Sequence, residues 1–122
     1  MTSIYELCDL VRQTAFDARK YLGSGHLEKV YENALAHRLR KAGVLVMQQH
    51  PLSVRDEDGT PLGDYFADLF VEDRLIVELK AARVLAPEHS AQMLGYLRAS
   101  GIRDGLLINF GGEKFACQKF VL

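Results

Sequence analysis

The sequence predicts an α/β fold with the element order ααβββαββ, a mixed sheet of about five strands flanked by helices. Three observations carry that prediction. Two apolar stripes at helical spacing fill the first third, the period shifts to that of strands after Gly43, and a third helical stripe separates the last two strands from the rest. The chain has 122 residues, room for one domain spanning 1–122. With 48% hydrophobic and 25% charged residues it matches soluble globular chains, which excludes disordered, collagenous and coiled-coil classes.

The first helix follows from Ile4, Leu7, Cys8, Val11, Ala15, Ala18 and Leu22, with Ser3 and Glu6 as a capping box and Gly23 and Gly25 as its end. A second is expected from about His26 to Ala42, striped by Leu27, Val30, Tyr31, Ala34, Leu35 and Leu39 and stopped by Gly43. VLVMQQHPLSVRD, interrupted by Pro51, reads as a strand with an irregular or edge position, and EDGTP reads as a turn. DYFADLFV and RLIVELK form a hairpin at the sheet's centre, joined by Glu72-Asp73 alone or with Arg74. Pro87 and Glu88 begin a third helix that ends at Gly101 and packs through Ala91, Leu94 and Leu97. GLLINF is a wholly apolar buried strand, and FACQKFVL closes the sheet.

Fifteen Lys and Arg against sixteen Asp and Glu give a net charge of −1, so bulk electrostatics do not hold nucleic acid. Any such contact must be local. Cys8 and Cys117 lack the paired spacing of a zinc site, and a reducing compartment is the simpler reading. The opening MTSIYELCDL has no apolar run, and no stretch reaches the ~18 apolar residues of a membrane span, so a cytoplasmic location and no membrane partner are expected.

Several charges fall where the pattern asks for apolar residues. On a wheel at about 100° per residue with Leu27 at zero, Glu28 lies near 100°, between Leu35 near 80° and Leu39 near 120°. A carboxylate there needs compensation, either an ion pair, for which Arg38 projects into the same stripe, or a metal. In the hairpin, Asp64, Phe66, Asp68 and Phe70 share one face by alternation, as do Ile76, Glu78 and Lys80 on the next strand. A two-residue loop sets Asp68 opposite Val77, whereas a three-residue loop or a bulge sets it opposite Glu78; one of the latter two is expected. The plain alternative is a solvated face with an ordinary salt bridge, less favoured in mid-sheet between covering helices. Two carboxylates and an ammonium suit magnesium, which takes one or two protein carboxylates and keeps waters for a substrate phosphate. Such a centre is suited to phosphodiester hydrolysis.

Asp68 followed ten residues on by Glu78-Leu79-Lys80 resembles the PD-(D/E)xK nuclease superfamily, whose fold is the restriction-endonuclease-like core. Gly25-His26-Leu27-Glu28-Lys29-Val30-Tyr31 matches the signature of its small bacterial GxxExxY branch, and Gln92 with Tyr96 resembles the QxxxY element of RecB-type nuclease domains. The likeness spans about residues 3–122. It implies that Asp68 and Glu78 ligate Mg2+ or Mn2+, that Glu28 completes the shell or holds a second ion, and that Lys80 positions or activates the attacking water. It also implies that Gln92 and Tyr96 steady the centre or bind substrate, with His89 one turn earlier on nearly the same face. Ala67 stands where the motif has proline, a position without chemistry.

Gln92 and Tyr96 also fit a plain link between core and surface. His26, Lys29, His37, Arg40 and Lys41 form a modest basic face, read as phosphate-facing or simply solvated, while His50 and Cys117 read as packing residues. The leading expectation is a metal-dependent nuclease acting on nucleic acid, DNA ahead of RNA. A non-catalytic module binding nucleic acid or a protein is the alternative, favoured by the near-neutral charge and small size, and an enzyme for another phosphorylated substrate is a third. So small a core offers few phosphate contacts, so a homodimer or larger protein partner is expected.

Overall fold

The computed structural model describes residues 2–122. Its elements are α1 (Ile4–Leu22), α2 (Glu28–Lys41), β1 (Val46–Arg55), β2 (Pro61–Val71), β3 (Leu75–Lys80), α3 (Pro87–Ser100), β4 (Asp104–Asn109) and β5 (Ala116–Val121). This is the expected order. The five strands lie in sequence order across one sheet, antiparallel except for β3 and β4, which are parallel and joined through α3.

Each face of the sheet carries its own core. Leu7, Val11, Leu35 and Leu39 of α1 and α2 pack on Leu69, Val71, Leu75, Val77 and Leu79, while Met93, Tyr96 and Leu97 of α3 pack on Leu52, Phe70, Ile76 and Leu107. The contacts of α3 thus differ from expectation: Ala91 is exposed and Leu94 half-buried, because the helix turns its Met93–Leu97 edge inward. Both cysteines are free thiols. No helix among the described residues is long and apolar enough to cross a membrane.

The caps follow sequence chemistry. Ser3 Oγ accepts from the Glu6 amide at 3.1 Å while Glu6 returns a carboxylate to the Ser3 amide at 3.3 Å. The α2 boundary is corrected: helix begins at Glu28, and Leu27 is the exposed residue before it. Glu28 keeps the angular sector of Tyr31, Leu35 and Leu39, but as the first residue of the helix it lies beyond the end of the core. The inward stripe is Tyr31, Leu35, Ala36 and Leu39, Val30 is exposed, and the acid buried on this helix is Glu32, not Glu28.

Tyr31 secures the turn between the two helices. Its ring stacks on Phe110 at 4.6 Å, and its hydroxyl donates to the Gly23 carbonyl at 2.6 Å and accepts from the His26 amide at 3.3 Å. Both bonds hold the stretch between Leu22 and Glu28, which belongs to neither helix.

The β2–β3 connection is the three-residue loop Glu72–Arg74. Arg74 N–H closes a turn on the Val71 carbonyl, and Glu72 and Asp73 have φ of 52° and 55°. Those left-handed conformations make a primed turn of the kind that suits the twist of a hairpin. Glu72 is held there from outside, its amide donating to the Leu45 carbonyl and its carboxylate accepting from the Leu45 amide.

One irregularity organises the rest. Val46 and Leu52 are both even-numbered on β1, yet they lie in opposite cores, and on β2 Ala67 lies in the core opposite to Leu69 and Val71. Alternation forbids this in a regular strand. The reversal falls at Gln49, whose φ is 51°, and at Asp68 opposite it. Beyond that point β1 and β2 continue as a two-stranded ribbon with exposed Leu62, Tyr65 and Phe66.

Tyr31→Phe keeps the stacked ring and removes both hydroxyl bonds, and is expected to destabilise the protein by about 1–2 kcal/mol in urea unfolding. An unchanged midpoint would show that the interhelix turn does not depend on the hydroxyl.

Candidate functional site

The hairpin register Val71↔Leu75, Phe70↔Ile76 and Leu69↔Val77 counts Asp68 directly opposite Glu78. There the ladder stops. Instead of pairing with carbonyls, the Asp68 amide donates to Glu78 Oε1 at 3.1 Å and the Leu79 amide donates to Asp68 Oδ2 at 2.8 Å. Each strand thus gives an amide to the other's carboxylate, and the strands part to make room for two acids.

The environments of the acids differ. Glu78 is buried on a strand covered by α3, whereas Asp68 is half-buried. Burial foremost, then the Asp68 charge, pushes the Glu78 carboxyl up to about 9, with the Asp68 amide and Lys80 only partly offsetting the rise. Lys80 lies two residues further along β3, on the same face, and its ammonium donates to Gln92 Oε1 of α3 at 3.1 Å. Among the described residues it forms no ion pair.

Glu28 stands at the start of α2. The residue as a whole is exposed, but its carboxyl end is sheltered: partial burial and then the Asp68 charge raise its pKa, against the pull of Lys80 and the Ala81 amide. Tyr96 faces the pair from α3. Burial, with the charges of Glu78 and Asp68, pushes its hydroxyl up to about 12, so at neutral pH it can only be a neutral phenol. Its ring lies 4.9 Å from that of Tyr65. His89 does not join this group, because its Nδ1 accepts from the Ala86 amide and caps α3.

The basic face of α2 is partly committed elsewhere. Lys29 pairs with Glu32 at 2.8 Å, Arg40 donates to Gln48 and the Val46 carbonyl, and His26 bonds the Leu22 carbonyl. His50 stacks on Phe70 as a packing residue. Two surface cavities of about 390 and 290 Å³ share Arg74 at the far end of β3 from the acid pair. The chemistry, not the volume, marks the site.

Two polar positions were not singled out from sequence. Buried Glu32 accepts from Lys29, Gln48 and Gln49, and Gln49 reaches on to Asp68. Buried Asn109 accepts from the Ala82 amide at 3.0 Å and donates to the Ala82 carbonyl at 2.9 Å, so its side chain prolongs the β3–β4 pairing past Lys80. A polar residue inside the apolar run LLINF was the available signal for Asn109.

The sequence profile of the PD-(D/E)XK nuclease superfamily matches residues 5–120. The chain belongs to that superfamily. Its fold is similar to that of an alkaline exonuclease from Laribacter hongkongensis, at 13% identity and a TM-score of 0.54, covering 99% of this chain and 72% of the exonuclease. The solved structure of SSO0001 is similar at 10% identity and a TM-score of 0.55, covering 94% and 77% of the two chains. At such identities the likeness is one of fold. No curated protein matches the chain in sequence.

For a member of this superfamily the question is whether the acids suit a divalent cation. Among the described residues no three His, Cys, Asp or Glu side chains stand close enough to cage one, so Glu28 does not close a three-acid cluster with the pair. Two carboxylates are nevertheless within what magnesium requires, and their oxygens are hard donors. A carboxyl driven toward its neutral form by burial foremost, and then by an adjacent carboxylate, is the electrostatic deficit that a cation would relieve.

That deficit has a pH signature. A carboxyl whose folded pKa is raised keeps its proton after the unfolded chain has lost it, so stability falls as pH climbs from about 4.5 to about 9. The ceiling is about 1.4 kcal/mol per pH unit. Metal-free Glu78→Gln is expected to lose this component, giving a flatter stability curve from pH 5 to 9 by urea unfolding; parallel curves for the two proteins would place the ionisation elsewhere.

Proposed function

We propose that this protein is a divalent-cation-dependent nuclease that hydrolyses phosphodiester bonds, with Asp68 and Glu78 holding Mg2+ or Mn2+. What carries the reading is the placement of the two carboxylates opposite one another at the point where β2 and β3 separate, with an ammonium beside them. When bound, such a cation acidifies a coordinated water and offsets charge on the phosphoryl oxygens.

The chain's own groups supply the rest. Leu79 and Asp68 amides orient one oxygen of each carboxylate, and lone pairs on the carboxylate oxygens remain for ligation. Lys80, with a hydrogen bond to Gln92 but no carboxylate partner, is placed to orient the attacking water or to balance charge on the phosphate. Gln92 fixes that ammonium, and Tyr96, a neutral donor facing the pair, is placed to meet substrate. Glu28, which feels the Asp68 charge, is positioned to act on the cation through a bridging water or by holding a second ion. Nucleic acid, with DNA favoured, is the proposed substrate, and a homodimer or larger assembly would add phosphate contacts.

A non-catalytic module remains the second reading. The internal commitments of Lys29 and Arg40 favour it, since they leave the α2 face little positive charge for phosphates.

Titration of Mn2+ by calorimetry is expected to give a binding isotherm for the wild type and none for Asp68→Ala, with proton release near pH 7 as Glu78 ionises. The same proteins with single- and double-stranded DNA and RNA test the chemistry. Lys80→Ala is expected to keep Mn2+ binding while its cleavage rate drops by about 10²–10⁴. Equal heats for wild type and Asp68→Ala would remove the cation, and full cleavage by Lys80→Ala would remove the ammonium's role.

A further inference from the structure

Gln49 has a backbone that most side chains avoid. Its φ of 51° lies in the left-handed region, which glycine enters freely and a residue with a Cβ only under strain. The two other non-glycine residues with positive φ, Glu72 and Asp73, occupy a tight turn; Gln49 sits mid-strand. Strain of this sort persists where the surroundings impose it, and here the surroundings are two carboxylates.

The Gln49 amide nitrogen donates to Glu32 Oε1 at 2.7 Å and to Asp68 Oδ1 at 3.3 Å. An amide nitrogen has two protons, so each carboxylate receives one. The direction of the amide follows from its partners, since both are carboxylate oxygens and Lys29 and Gln48 also donate to Glu32. Glu32 in turn is immobile: it is 3% exposed, and its other oxygen accepts from Lys29 at 2.8 Å and Gln48 at 2.7 Å. The Asp68 carboxylate is therefore gripped from both sides, with Leu79 N–H on Oδ2 and Gln49 N–H on Oδ1, and each oxygen keeps a lone pair in reserve.

From this geometry we infer that Gln49, braced by Glu32, is a positioning residue that fixes the plane of the Asp68 carboxylate and so sets its affinity for a divalent cation. The inference rests on the reading of Asp68 as a cation ligand and adds the support behind it. Gln48 supplies an internal comparison. It gives Glu32 a hydrogen bond of the same length, but its second proton goes to Asn33 at 2.8 Å rather than to Asp68. If these glutamines served only to satisfy Glu32, the two would be interchangeable. Only Gln49 continues to the acid pair.

The test is calorimetric titration of Mn2+ at 20 °C into the wild type, Gln49→Met, Gln48→Met and Asp68→Asn, each shown folded by circular dichroism. Methionine retains length and loses the donor. Gln49→Met is expected to bind Mn2+ about 10-fold more weakly than wild type, the effect of removing an outer partner of a ligand. Gln48→Met is expected to stay within about twofold, since it leaves the outer partners of Asp68 in place. Wild-type affinity in Gln49→Met, or equal losses in both glutamine variants, overturns the positioning role while leaving the cation reading intact. Full affinity in Asp68→Asn overturns both. A measurement without substitution guards against a variant that does not fold: in wild-type protein titrated with Mg2+, the Gln49 side-chain amide signals are expected to shift with the same midpoint as the Asp68 backbone amide, and Gln48's to stay in place. Unmoved Gln49 signals overturn the inference.

Discussion

The site depends on an exchange of hydrogen bonds between two strands that stop pairing. A buried amide without an acceptor costs about 1–3 kcal/mol, so β2 and β3 can separate only if something replaces the lost carbonyls. Asp68 and Glu78 are that replacement: each accepts the amide released by the opposite strand. The strands tolerate the divergence because each has a second neighbour, β1 for β2 and β4 for β3. The acids are thus structural parts of the gap they occupy, and chemistry and fold draw on the same oxygen atoms.

The end of β3 needs separate support, since Lys80 is its last residue and the chain leaves the sheet immediately after. Phe110 N–H bonds the Lys80 carbonyl at 2.8 Å, and Asn109 continues the pairing with its side chain. Gly111 allows the approach: a Cβ there would lie 2.3 Å from the Ala81 carbonyl carbon. Arg19, from the far helix, holds the same loop through the Phe110 and Gly112 carbonyls. The ammonium is therefore placed by a strand end anchored at several points and by Gln92 on a helix.

Much of this was legible in sequence because the signals were local. The capping box, the strand runs and the helix before β4 each announce themselves within a dozen residues, and the three-residue loop that sets Asp68 opposite Glu78 was one of the two arrangements expected. Errors arose where the angle of a residue was legible and its depth was not. Glu28 falls in the angular sector of the α2 stripe, but the enclosed part of that stripe begins at Tyr31, which leaves Glu28 at the rim and encloses Glu32. Gln49 gave no sign at all. Left-handed backbone is foreshadowed by glycine or asparagine, and a glutamine in a strand pattern does not suggest it. Its conformation goes with the contacts of its amide to Glu32 and Asp68, which a reading of the sequence does not supply.

The ribbon beyond Gln49 extends this logic. From Pro51 to Phe66, only Leu52 of its side chains is fully enclosed by a core. Its backbone bonds run between its own two strands, and the reversal at Gln49 and Asp68 separates its pleat from that of the sheet. The tip at Asp56–Thr60 closes on its own hydrogen bonds, so segments of different length or composition could be spliced there without removing a bond that holds the acid pair.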